Sequence, residues 1–253
     1  AAARATAPDN GLGLIVDIGG GTSDFSVFRQ QDTGETEILA SYGLRVGGTD
    51  FDRRLSIDHV MPLLGRGSAI RNAFGGGTLP APAKILNDLA TWQMIQFLYA
   101  AETRNKAKDL ASHAAEPEKL ARLVAVLEDE LGHDLAFAVE RGKIQSNQPD
   151  HPAPRIDLKE LERGLHVPLA EDLVHASLDA LVTEVATGAR EILNLASLSP
   201  AQVDRIVLVG GSSLMATVEQ QMRQIFPDAK VHKSNAMTAV ADGLALSAAS
   251  AFT

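Results

Sequence analysis

The chain has no cysteine, which excludes disulfides, thiolate metal centres and a thiol nucleophile, and nothing in it points to an oxidising compartment. It also lacks a basic excess, since 23 Lys and Arg against 32 Asp and Glu leave a formal net charge of −9. The electrostatic footprint of a nucleic-acid partner or an anionic membrane surface is therefore missing, and neither partner is expected. No run approaches the roughly 18 apolar residues of a membrane span. The opening AAARATAPDNGLG has no apolar core of signal-peptide type and reads as a frayed terminus or linker. A cytoplasmic protein is expected. The seven His are scattered, with no pair at metal-ligand spacing. No glycine turn is followed by the Lys of a GK[ST] loop, so a P-loop is rejected.

What is present is a chain of 253 residues, 45% hydrophobic, enough to bury a core as one large domain or two smaller ones. In LIVDIGGGTSDFSVF, residues 14–28, three glycines join two apolar strands, and TEILASYG supplies a third. A dinucleotide fingerprint would lead from the glycines into a helix, and here a strand follows. LRVGGTDFDRRL opens a helix capped by Thr49 or Asp50, with Phe51, Leu55, Val60 and Leu63 on one face. Residues 65–83 read as an irregular Gly/Pro loop.

Two long amphipathic helices are predicted next. One carries Ile85, Leu89, Trp92 and Ile95, with Trp92 in the core. The other starts at Pro117 and repeats through Leu120, Leu123, Val124, Leu127, Leu131 and Leu135. QSNQPDHPAPRIDL breaks the pattern, with a short extended piece at best. From Pro168 a long helix resumes with Val174, Leu178, Leu181, Val185 and Ile192. VDRIVLVGGSSLM then gives a buried strand and a glycine turn into a helix, Val231 marks a last strand, and NAMTAVADGLALSAAS a small-residue helix. The order implies a mixed five-stranded sheet, three antiparallel strands followed by right-handed crossovers.

Successive glycine N–H groups form an anion nest, and Thr22 adds a hydroxyl donor. Asp17 and Asp24 flank the turn. Two carboxylates beside a phosphate demand a cation, and hard oxygen ligands suit magnesium. A plain turn remains the alternative, although a hairpin seldom needs three glycines. The pairs at Gly47–Gly48 and Gly210–Gly211 serve packing or present helix N-termini to anions. Glu140 and Lys143, at i and i+3, read as a surface ion pair when taken alone.

Four segments in order, VDIGGGTSDFSVF, RVGGTDFDRRL, VERGKI and IVLVGGSSLM, resemble the second lobe of the ATPase domain of the seventy-kilodalton heat-shock chaperones, within the actin-like ATPase superfamily. The resemblance covers almost the whole chain. It implies an α/β lobe of ribonuclease H-like type, βββαβαβα, with residues 1–46 and 170–253 as the nucleotide-binding core and 47–169 as an inserted, mainly helical subdomain. It implies ATP or ADP with Mg2+ as ligands. Gly19, Gly20, Gly21 and Thr22 would hold the β- and γ-phosphates, with Gly47 and Gly48 close by. Asp17 and Asp24 would reach magnesium through water, and Asp17 and Thr22 would be the catalytic positions. Glu140 and Lys143 would approach ribose or adenine, and Gly210, Gly211 and Ser212 would line the adenosine pocket.

Where the family places an Arg that stacks on adenine, this chain has Ile144 and Leu214, and Met237 stands where an Asp is usual. Only one lobe is visible, so a fragment is expected whose partners include the missing first lobe and, for the whole protein, client polypeptides or co-chaperones. Hydrolysis by this lobe alone would be negligible. Two other classes stay open: a sugar or carboxylate kinase of the same superfamily, and a non-catalytic scaffold with weakened nucleotide binding.

Overall fold

A computed structural model describes residues 11–31, 36–72 and 75–234. Alternating burial of Leu14, Val16 and Ile18 makes β1 (Gly11–Ile18) a strand with one face in the core, and Phe25 and Val27 do the same for β2 (Ser23–Gln30). β2 pairs antiparallel with β1 and with the half-exposed edge strand β3 (Thr36–Leu44).

The described residues divide into two units, one formed by the chain up to Asp50 together with residues from Asp179 onward, the other by Phe51–Leu178. In the first unit, β8 (Arg205–Val209) is buried throughout and runs parallel to β1, and β9 (Lys230–Lys233) runs parallel to β8. The sheet order is β3-β2-β1-β8-β9, the mixed five-stranded sheet expected from the sequence. Because β1 and β8 are parallel, their carboxyl ends, Ile18 and Val209, open on the same edge, which is where α/β sheets gather ligands.

α1 (Gly48–Leu55) starts the helical segment. The predicted single helix through Leu63 is replaced after Leu55 by a π turn over Ser56–Val60 and a 3-10 turn over Met61–Leu64. Pro62 has no N–H to continue the α ladder, so the phase changes and Leu64, not Leu63, is buried. The predicted loop at 65–83 contains a small hairpin, β4 (Ala69–Arg71) with β5 (Thr78–Pro80).

The first predicted long helix is three pieces: α2 (Lys84–Leu89), a 3-10 stretch over Trp92–Tyr99, and α3 (Ala101–Ser112). Thr91 is extended (φ −104, ψ 107) and its hydroxyl donates to the Asn87 carbonyl at 2.8 Å, a local bond that competes with helix. The break rotates Trp92 out of the core. It is 40% exposed and packs edge-on against His133 and Phe137, at centroid distances of 4.8 and 5.2 Å.

The helix expected from Pro117 likewise divides into α4 (Pro117–Glu128) and α5 (Gly132–Ser146), with Glu130 left-handed (φ 57) at the joint. Residues after it form a hairpin, β6 (Arg155–Asp157) with β7 (His166–Pro168). α6 (Glu171–Leu195) is long, as its apolar spacing predicts. α7 (Ala216–Ile225) connects β8 to β9. The small-residue helix expected over 235–250, and Met237 with it, lie outside the described residues. No helix among the described residues is long and apolar enough to cross a membrane.

Candidate functional site

Three glycine turns of the first unit meet at the carboxyl ends of β1 and β8. In the first turn the Gly19 N–H donates to the Thr22 carbonyl at 2.9 Å, but neither Gly20 nor Gly21 takes the left-handed φ that a tight two-residue hairpin demands. A Cβ added at Gly20 or Gly21 would meet nothing within 4 Å. Neither dihedral nor packing calls for glycine at these two exposed positions.

The second turn clasps the first. Gly48 N–H donates to the Gly19 carbonyl at 2.9 Å, and both the N–H and the hydroxyl of Thr49 donate to the Gly20 carbonyl, each at 2.8 Å. All peptide bonds among the described residues are trans, so C=O and N–H of one peptide plane point oppositely. Carbonyls of Gly19 and Gly20 turned toward α1 therefore direct the N–H groups of Gly20 and Gly21 away from it. Among the described residues, neither N–H meets an acceptor in the chain. Two adjacent outward amides without side-chain bulk are what a phosphate oxygen needs.

The clasp is itself closed. Asp50 accepts the Gly47 N–H on Oδ2 at 2.9 Å and returns its own N–H to the Gly47 carbonyl at 3.0 Å, while the buried Ser23 hydroxyl donates to the Val46 carbonyl at 2.7 Å. Gly47 lies flat on the Gly20–Gly21 peptide, where a Cβ would stand 2.6 Å from the Gly20 oxygen and 2.6 Å from the Gly21 nitrogen. Only glycine fits there.

The third turn closes the site from β8. Gly210 is left-handed (φ 83), and a Cβ on it would sit 2.4 Å from the Ile18 carbonyl oxygen and 2.8 Å from Asp17 Oδ1. Ser213 ties the turn by donating to the Gly210 carbonyl at 2.8 Å, and the Ser212 hydroxyl stands against Gly48. Gly210→Ala is expected to destabilise the protein by about 3 kcal/mol, from the left-handed strain plus a backbone clash. Gly211→Ala, with nothing within 4 Å of the added carbon, is expected to be neutral within about 0.5 kcal/mol. Urea denaturation of the pair checks both.

Asp17 and Asp24 face each other across the β1–β2 pairing, and the Thr22 hydroxyl donates to Asp24 Oδ2 at 3.1 Å. Partial burial, and then the nearby charge of Asp24, hold the Asp17 carboxyl above the ordinary carboxylate range. Two opposed carboxylates, that of Asp17 partly desolvated, are a site that a divalent cation relieves. Among the described residues no three His, Cys, Asp or Glu side chains gather as a metal group. The two carboxylates and the Thr22 hydroxyl are hard oxygen donors, a set that fits magnesium, which keeps several waters and is completed by phosphate.

Glu140 and Lys143 lie on α5, in the second unit. The expected surface ion pair between them does not form. Lys143 is buried, and its Nζ pairs at 2.8 Å with Asp52 of α1, while Glu140 is exposed. The i, i+3 rule missed a partner 91 positions away in sequence, and the signal for it was the second acidic residue of TDFD. Burial raises the Asp52 carboxyl, the Lys143 ammonium opposes that rise, and Glu140 adds to it. Ile144 is half exposed on the same helix.

The sequence comparison matches this architecture. The model of the Hsp70 protein family covers residues 110–251. The chain belongs to the Hsp70 family. Its sheet and helices are those of an actin-like ATPase lobe. It is 28% identical over 245 residues to the chaperone protein dnaK3 of Synechococcus elongatus, covering 95% of this chain and 25% of that protein. It is also 28% identical over 237 residues to the chaperone protein DnaK of Thermotoga neapolitana, covering 93% and 31%, and 27% identical over the same length to DnaK of Thermotoga maritima. The chain spans a quarter to a third of the length of these curated relatives.

Proposed function

We propose that the chain is the second lobe of a two-lobed, chaperone-type ATPase, and that its three glycine turns hold the phosphates of ATP or ADP. One observation carries the reading: Gly20 and Gly21 present outward amides in open space, where the fold itself has no use for glycine. Gly19 to Thr22 cradle the β- and γ-phosphates, with Gly47 and Gly48 behind them. Gly210, Gly211 and Ser212 border the adenosine side. Asp17 and Asp24 hold magnesium through water.

Bound there, the metal supplies charge neutralisation and orientation of the phosphates. The chain's own part is positional: the amides and the Thr22 hydroxyl fix the phosphate oxygens, and Asp17 holds an ordered water. A first lobe would supply the donors that one side of a cleft lacks, and in the whole protein nucleotide state would govern lobe closure and the binding of client polypeptides or co-chaperones. With Leu214 in place of a guanidinium group beside the third turn, discrimination between adenine and guanine is expected to be weak.

The test is calorimetric titration of ATP and ADP with magnesium into the two-lobed protein, with Asp17→Ala as control. Saturable binding weakened by the substitution supports the reading. No heat from either nucleotide would leave the lobe as a scaffold.

A further inference from the structure

We infer that Thr49 is a positioning residue of the phosphate cradle: its hydroxyl, doubled with its own N–H on the Gly20 carbonyl, locks the Gly20–Gly21 peptide plane so that the Gly21 N–H stands ready for an anion. The inference rests on reading the first glycine turn as that cradle, and it adds a residue that never touches the ligand.

Glycine is the poorest residue for preorganisation, because its backbone has the most freedom to lose. Gly20 and Gly21 have no side chains to pin them and no neighbours on which a Cβ would rest. An amide pair this free would spend much of its binding energy on being ordered. The structure holds it from behind instead. Gly47 covers one face of the Gly20–Gly21 peptide, which blocks tilting in that direction but leaves rotation about the chain. Two donors converging on one carbonyl oxygen, each at 2.8 Å, remove that rotation. The reciprocal bonds between Asp50 and Gly47 keep the donors in place. Through the resonance of the amide, an anion at the Gly21 N–H also makes the Gly20 oxygen a better acceptor, so occupancy and the Thr49 bonds strengthen each other.

The test uses inorganic tripolyphosphate with magnesium, which carries no base or ribose, and follows the Gly20 and Gly21 amide resonances by NMR in the native chain, Thr49→Val and Thr49→Ser. The native chain is expected to show saturable shifts at both amides. Thr49→Val, equal in shape but without the hydroxyl, is expected to bind about 5-fold more weakly and to shift the Gly21 amide before any ligand is added. Thr49→Ser is expected to restore both. Affinity and Gly21 shift unchanged in Thr49→Val would overturn the role of Thr49 while leaving the cradle intact. Absence of shifts in the native chain would remove the cradle and this inference together. A melting temperature shared by the three proteins keeps a folding defect from imitating the result, and if Thr49→Val melts lower, failure of Thr49→Ser to restore the affinity overturns the inference.

Discussion

Gly20→Val is expected to fold as well as the native chain and to bind magnesium nucleotide at least about 100-fold more weakly. The two halves of this expectation have separate causes. Stability is spared because the position is exposed, is not left-handed and has no neighbour within 4 Å of an added Cβ, so the change should stay within about 1 kcal/mol, or about 4 °C in melting temperature. Binding is lost because an isopropyl group fills the space over two amides. Each of those amides would otherwise make a charge-assisted bond to phosphate worth about 1.5–3 kcal/mol. Thermal melting beside nucleotide titration reads both. A glycine kept for architecture would give the opposite pattern, as Gly210 should.

Lys143→Met is expected to cost about 3 kcal/mol at neutral pH, the lower end for breaking a buried pair because Asp52 keeps some access to water. The deficit should shrink as pH falls, and the sign follows from Asp52. Its folded-state carboxyl lies above the ordinary value of 3.8 because burial outweighs the Lys143 attraction. A carboxyl raised on folding binds its proton more tightly in the native state, so its contribution is most favourable below the unfolded value and is lost as pH rises through the folded one. Without the ammonium, Asp52 rises further, so the loss still begins near the unfolded value but is larger and continues to higher pH. Denaturation of native and variant chains between pH 5 and 8 should therefore give converging stabilities toward the acid end. Adding Asp52→Asn to Lys143→Met should recover most of the deficit at pH 7.5, since the uncompensated charge is then gone. A pH-independent deficit would mean that Lys143 acts through its methylene packing alone.

The contrast between these residues shows how far the sequence reaches. Strands β1, β2 and β8 were legible because period-two burial and an unbroken apolar run are local signals, and the order of strands and helices then left few topologies for the sheet. The glycine motifs were visible as residue types, but their distinct jobs were not. Gly47 and Gly210 are demanded by backbone approach and φ, whereas Gly20 and Gly21 are demanded by neither, and only the folded backbone separates the two cases.

In the second unit the helical period continued straight through Thr91 and Glu130, where one side-chain bond and one left-handed residue break the helix. Extrapolated past Thr91, the period placed Trp92 on the wrong face. The Lys143–Asp52 pair and the two hydrogen bonds from Thr49 to the Gly20 carbonyl join residues far apart in the chain, and no window of sequence contains them.

The central claim is that the outward amides of Gly20 and Gly21 are phosphate ligands. A crystal structure of the two-lobed protein with magnesium and a non-hydrolysable ATP analogue tests it most directly. The account predicts β- or γ-phosphate oxygens within about 3 Å of the Gly20 and Gly21 nitrogens, with Asp17 reaching the metal through water. A nucleotide bound elsewhere, or one at this edge of the sheet whose phosphates leave those two amides facing solvent, would contradict it.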